Sequence, residues 1–183
     1  MRRLALAIVT VLAMTACGSP SASESQPSES ASAELMAAAL TELVATDHTF
    51  GAGPPPFTQY LIEENTVPIS LPPTPDSPDS VQKSSDTRRS LSEMERSAIE
   101  TAIAEYGAVR WIEDPDDWRI DLEPKVEGSV ILGVDAPILD GAGALVPVSL
   151  WCGGDCGTWF TYRLALIDDT WQVTGQEGPV SIS

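Results

Sequence analysis

The sequence predicts an α+β domain, with one or two helices packed on an antiparallel β-meander. Three observations carry this. Residues 92–106 repeat apolar side chains at helical spacing behind a capping-box pattern. Two strand-like runs, 144–151 and 159–167, flank a glycine-rich turn that holds Cys152 and Cys156. Trp171-Gln172-Val173-Thr174 alternates apolar and polar residues as a half-buried strand does. Helical signals gather in the first part of the chain and strand signals in the second, which is the α+β pattern rather than the alternating α/β one.

Of the chain's 183 residues, the first sixteen read as an address rather than as domain. Arg2 and Arg3 precede an apolar run, 4–14, that ends in Thr15-Ala16. The run is too short to span a bilayer and has the form of an export signal, so residues 1–16 are assigned to a signal peptide. Met14-Thr15-Ala16-Cys17 resembles the lipobox of bacterial lipoproteins, with Met where Leu is commoner. That resemblance implies a diacylglyceryl group on the Cys17 thiol and cleavage just before it. The protein would then sit on the extracytoplasmic face of the cell membrane, its lipid partner reached through Cys17. The alternative is an ordinary secretory signal cut nearby.

Three cysteines fit the lipoprotein reading. With Cys17 acylated, Cys152 and Cys156 remain to pair in an oxidising compartment, and no thiol is left over. Loss of residues 1–16 removes Arg2 and Arg3 from the ten basic residues and no acid, which leaves eight against 27 Asp plus Glu, a formal charge of −19. Such a field argues against nucleic acid, whose phosphates need neutralising, and against anionic headgroups. It permits solubility beside a membrane and attraction to cationic partners.

Residues 17–32 are Ser, Ala, Glu and Pro with hardly an apolar side chain, the composition of a tether between lipid and domain. The domain is assigned to 33–183. Met36, Leu40, Leu43 and Val44 recur at helical spacing and predict a helix over 33–46. Gly51-Ala52-Gly53-Pro54-Pro55-Pro56 predicts an extended loop, and 57–62 a short strand. Four prolines (Pro72, Pro73, Pro75 and Pro78) mark the stretch near 70–89 as a surface excursion. In the helix at 92–106, Met94, Ala98, Ala102 and Tyr106 form the apolar stripe, widened by Ile99 and Ile103, and Gly107 stops it. Strands follow at 109–112 and 130–134, then turns at 140–143 and at Asp168-Asp169, and 179–182 adds an edge strand. Pro147 lacks a donor, so its strand is expected at an edge or bulged there.

No set of residues here announces catalysis. Cys152 and Cys156 lie near the neck of a predicted hairpin, where a disulfide fits; closing so small a loop stabilises by about 2 kcal/mol in the chain-entropy picture. A redox pair is the alternative, but three residues separate the cysteines and no strand–helix context surrounds them. His48 is the only histidine, and no Gly-x-Ser-x-Gly elbow accompanies it, so it reads as a bystander. With one histidine there is no zinc set, and no metal or cofactor is expected. The turn acids Glu113, Asp114, Asp116 and Asp117 could hold Ca²⁺ but lack the spacing of an EF-hand loop. Asp135 and Asp140 have no spacing that marks them as a hydrolytic pair. Trp111, Trp118, Trp151, Trp159 and Trp171 either pack the core and rim of a small sheet or line a sugar- or peptide-binding face.

The string Cys152-Gly153-Gly154-Asp155-Cys156-Gly157-Thr158-Trp159, with Trp171-Gln172-Val173-Thr174-Gly175 and Gly178-Pro179-Val180, resembles the ending of a group of short bacterial lipoproteins, mainly actinobacterial. The resemblance covers the last quarter of the chain, implies lipoprotein status and adds no catalytic residue. Trp171-Gln172-Val173-Thr174-Gly175 is also similar to the last strands of NTF2-like cone folds, which stands as the alternative architecture. The expected function is a membrane-anchored extracytoplasmic module that binds a protein or small-molecule partner without catalysis. The rival is an envelope hydrolase using clustered carboxylates. A Trp-lined groove would favour the first and acids converging in a cleft the second.

Overall fold

A computed structural model describes residues 26–51, 53–68 and 88–182. The signal peptide, Cys17, residues 17–25 of the expected tether and residues 70–87 of the proline-rich stretch lie outside the described residues. The fold is α+β: among the described residues, two helices lie on one face of a mostly antiparallel, mixed sheet.

Helix α1 spans Glu29–Ala45, four residues earlier than the expected start at 33. Ser28 caps it, its hydroxyl accepting from the Ala31 N–H, and Glu29 places negative charge at the positive end of the helix dipole. Residues 29–32 are therefore domain, not tether. Their polar composition hides this, because the Ser32 hydroxyl is buried against a carboxylate far along the chain. Leu35, Met36, Ala39, Leu40, Leu43 and Val44 face the core.

Helix α2, Glu93–Ile103, begins with the expected capping box: the Glu95 N–H donates to Ser92 Oγ, and the Ser92 N–H to Glu95 Oε2. Its buried face differs from the expected one. Ile99 and Ile103 point into the core with Glu95, while Met94 is 48 % exposed. Glu95 can go inside because it is paired. The helix ends three residues short of Tyr106. At Gly107 a Cβ would stand 2.9 Å from the Thr58 carbonyl oxygen, so glycine is needed for the close approach to the strand beside it.

The main sheet runs β2 (Ala108–Ile112), β1 (Gln59–Glu63), β5 (Ser129–Val134), β7 (Gly143–Gly153), β8 (Cys156–Ile167), β9 (Thr170–Ile182), with β6 (Ile138–Asp140) also on β7. The sheet is open, with β2 and β9 at its edges. From β5 to β9 the pairing is antiparallel, as a meander should be, but β1 pairs parallel with both β2 and β5. The reason is connectivity: α2 lies between β1 and β2, and a helical crossover is what lets neighbouring strands run parallel. A small ribbon, β3 (Arg119–Ile120) with β4 (Glu123–Pro124), follows a 3₁₀ turn at Pro115–Trp118.

Pro147 sits in β7, which is central rather than an edge. Its carbonyl accepts from the Asp135 N–H, so its missing donor faces the gap where β5 has ended and β6 has not begun. No ladder bond is lost there. The turn at Asp168-Asp169 has φ of 50° and 60°, the primed geometry that matches the twist of β8 and β9.

Strand alternation divides the sheet's side chains between two faces. Tyr60, Ile62, Val130, Leu132, Val146, Val148, Tyr162 and Leu164 meet the helices in the main core. Leu61, Ile112 and Ile131 form a smaller cluster on the other face, covered by Trp118 and Trp151 instead of a helix.

Candidate functional site

The helix-free face carries a cleft of about 670 Å³. Its floor is Glu63, the last residue of β1 and 7 % exposed. Parallel register sets Glu63 opposite Ile112, so the acidic turn that follows β2 emerges beside it and supplies Asp114 and Asp116. An isolated bridge between Asn65 and Ser90 holds the approach to α2 against the exit of β1, which brings Arg88 Nη2 to 4.0 Å from Glu63 Oε2. Ser149 and Trp151 come from β7 and Trp159 from β8. Beneath them, a Cβ on Gly133 would stand 2.6 Å from Ser149 Oγ and 2.8 Å from a Val67 methyl, so glycine there lets those side chains close the base.

Arg119 forms the remaining wall. Its guanidinium lies 4.5 Å from the centre of the Trp151 ring, and Nη1 pairs with Asp116 at 3.3 Å. Its Nε is buried and has no hydrogen-bond partner among the described residues. Burial holds the Glu63 carboxyl above the usual carboxylate range; Arg88 and Arg119 pull it down, and Asp114 and Asp116 push it further up. The cleft thus combines a reluctant carboxyl, two guanidiniums and two indoles.

Cys152 and Cys156 form the expected disulfide, with Cα atoms 5.1 Å apart, across a bulged hairpin neck. The bond braces the strands that carry Trp151 and Trp159. His48 lies in a loop, as expected, and is buried there. Its Nδ1 accepts from the Phe50 N–H at 3.3 Å, which leaves Nε2–H to donate to the Gly53 carbonyl at 3.1 Å; both nitrogens are used in holding a turn. Within the acidic turn, Asp114 caps the 3₁₀ segment by accepting from the Asp116 N–H at 2.9 Å. Glu113 and Asp117 do not line the cleft. Asp140 pairs with Arg163 at 2.8 Å, and Asp135 accepts from the Ala136 N–H. Among the described residues no group of His, Cys, Asp and Glu is arranged to hold a metal ion, and no helix is long and apolar enough to cross a membrane.

All five tryptophans are half-buried; Trp111 and Trp171 pack against the main core, and Trp118 and Trp151 against the smaller cluster. Arg96, Arg110 and Arg119 lie over Trp111, Trp118 and Trp151. Sequence reasoning missed Glu63, Arg88, Arg119 and Ser149. The available signal was Glu63 itself, a charge closing the apolar run 60–62.

Comparison with known proteins gives no match to a family model, to a curated protein or to a solved structure.

Proposed function

We propose that the protein is an extracytoplasmic lipoprotein, tied to the membrane through an acylated Cys17, whose domain receives a small ligand in the cleft floored by Glu63. The observation that carries this is the convergence of a buried carboxyl, Arg88, Arg119, Trp151 and Trp159 on one concave site. Support for the anchor is the lipobox at Cys17 and the export signal before it. Because α1 is capped by Ser28, only ten residues separate cap and anchor, and the eleven steps between them reach at most about 40 Å. The domain would work close to the bilayer.

Two measurements test the two halves. A Cys17→Ala variant should leave the membrane fraction; retention there would refute the anchor. Equilibrium dialysis of the purified protein against a small-molecule envelope extract should deplete a compound with the wild type and not with Trp159→Ala. Equal depletion by both, or none by either, would remove the cleft as the ligand site.

One observation favours the hydrolase as a second reading: Glu63, Asp114 and Asp116 line the same cleft, and burial raises the Glu63 pKa above the ordinary carboxylate value. Turnover of the bound compound that Glu63→Gln abolishes without loss of binding would establish it. Binding without turnover leaves the binding module.

A further inference from the structure

We infer that the cleft takes a neutral saccharide, its ring face laid on Trp159 and its hydroxyls bridging the Glu63 carboxyl and the Arg119 guanidinium. This rests on the reading of the cleft as a ligand site and names the class of ligand.

Charge excludes the simpler occupants. Glu63, Asp114 and Asp116 face Arg88 and Arg119 across the same space, and Asp116 is already paired with Arg119. An anion would meet three carboxylates on a chain whose formal charge is −17, and a cation would have to displace Arg88 or Arg119 from the carboxylates they already partner. A neutral molecule escapes both penalties.

Hydrogen-bond chemistry then selects among neutral molecules. The buried Arg119 Nε–H lacks an acceptor among the described residues, whereas Glu63, nearly sealed from solvent, chiefly offers acceptor oxygens. A hydroxyl both donates and accepts, so adjacent hydroxyls on one ring satisfy the two walls together. A carboxyl partners a hydroxyl in either protonation state, since both forms accept and the neutral one also donates. The indoles select shape. Arg119 occupies a face of Trp151, whereas among the described residues no guanidinium stacks on Trp159, which lines the cleft and is the kind of flat apolar surface that the C–H face of a sugar ring packs against.

The test is a tryptophan-fluorescence titration of the purified full chain in a non-glycosidic detergent. Maltose, cellobiose and N,N′-diacetylchitobiose are the neutral probes, and lysine and citrate the charged ones. At least one disaccharide should give a saturable change. Trp159→Ala and Glu63→Leu should each weaken it by roughly tenfold or more, the loss of a stacked ring or a desolvated hydrogen bond. Glu63→Gln keeps both a donor and an acceptor and should stay within about threefold. Trp159→Phe, which keeps an aromatic face, should fall between, and unchanged thermal midpoints would show that the variants fold. If lysine or citrate saturates instead and Trp159→Ala abolishes it, the saccharide class is wrong and the ligand cleft survives. If no probe saturates, the saccharide class is again overturned, and the dialysis experiment decides the cleft on its own terms.

Discussion

The Ser32 hydroxyl donates to a Glu95 carboxylate oxygen at 2.6 Å, joining the first turns of α1 and α2 across 63 positions of sequence. The same carboxylate accepts from both Arg89 amino groups, at 2.6 and 2.7 Å, and from the Ser92 N–H at 2.8 Å. A group only 2 % exposed is thereby ionised and fully partnered. Burial alone would raise its pKa; the bonds from Arg89, Ser32 and Ser92 outweigh that and hold it below the usual range.

Glu95→Ala should therefore cost about 2 kcal/mol, because it removes the capping box, loses the charge-assisted bonds from Arg89 and orphans Ser32. Chemical denaturation at neutral pH checks the size. The pH dependence has a definite sign. A depressed folded pKa contributes stability that is complete above the unfolded glutamate value, about 4.3, and disappears as pH falls through the folded one. The gap between wild type and variant should narrow on acidification; a gap that widens would contradict the assignment.

Glu63 works the other way. Its folded pKa is raised, so the unfolded chain releases the proton first as pH rises, and the native state loses ground from the ordinary carboxylate value upward. Glu63→Gln should be more stable than the wild type at pH 7, by about 1 kcal/mol, the scale of one buried group's desolvation. The advantage should vanish below about pH 4, where both chains carry a neutral group. Thermal midpoints measured at both pH values decide it, and an advantage that persists in acid would point to packing rather than charge.

The Cys152–Cys156 bridge closes a loop with three residues inside it and braces the strands bearing Trp151 and Trp159. Replacing both cysteines with Ser should lower stability by about 2 kcal/mol, from the added freedom of the unfolded chain. The near-ultraviolet dichroism of the folded variant should change little beyond the loss of the disulfide band. Loss of the tryptophan signals as well would show that the bridge, not the strand pairing, holds the hairpin.

Local patterns were legible wherever a short stretch settles its own conformation. The capping box at Ser92 and Glu95, the turn at Asp168-Asp169 and the strands around the cysteine turn all stand where the sequence places them. Misreadings arose where burial of a polar group depends on a distant partner. Ser32 looks like tether until Glu95 is set against it, and Glu95 looks like an exposed face until Arg89 is. The rotation of α2, with Ile99 inside and Met94 outside, follows from the same pairing.

The sequence by itself determined the α+β class, both helices and the disulfide hairpin, because periodicity, capping and turn chemistry act over a few residues. Only the tertiary structure decided the parallel register of β1 and, with it, the cleft. Glu63, Arg88, the turn from Asp114 to Arg119, and Trp159 lie on four separate segments, and no local pattern relates the four. Their meeting depends on the crossover through α2 and on which face of each strand the helices leave uncovered, and both are properties of the packed whole.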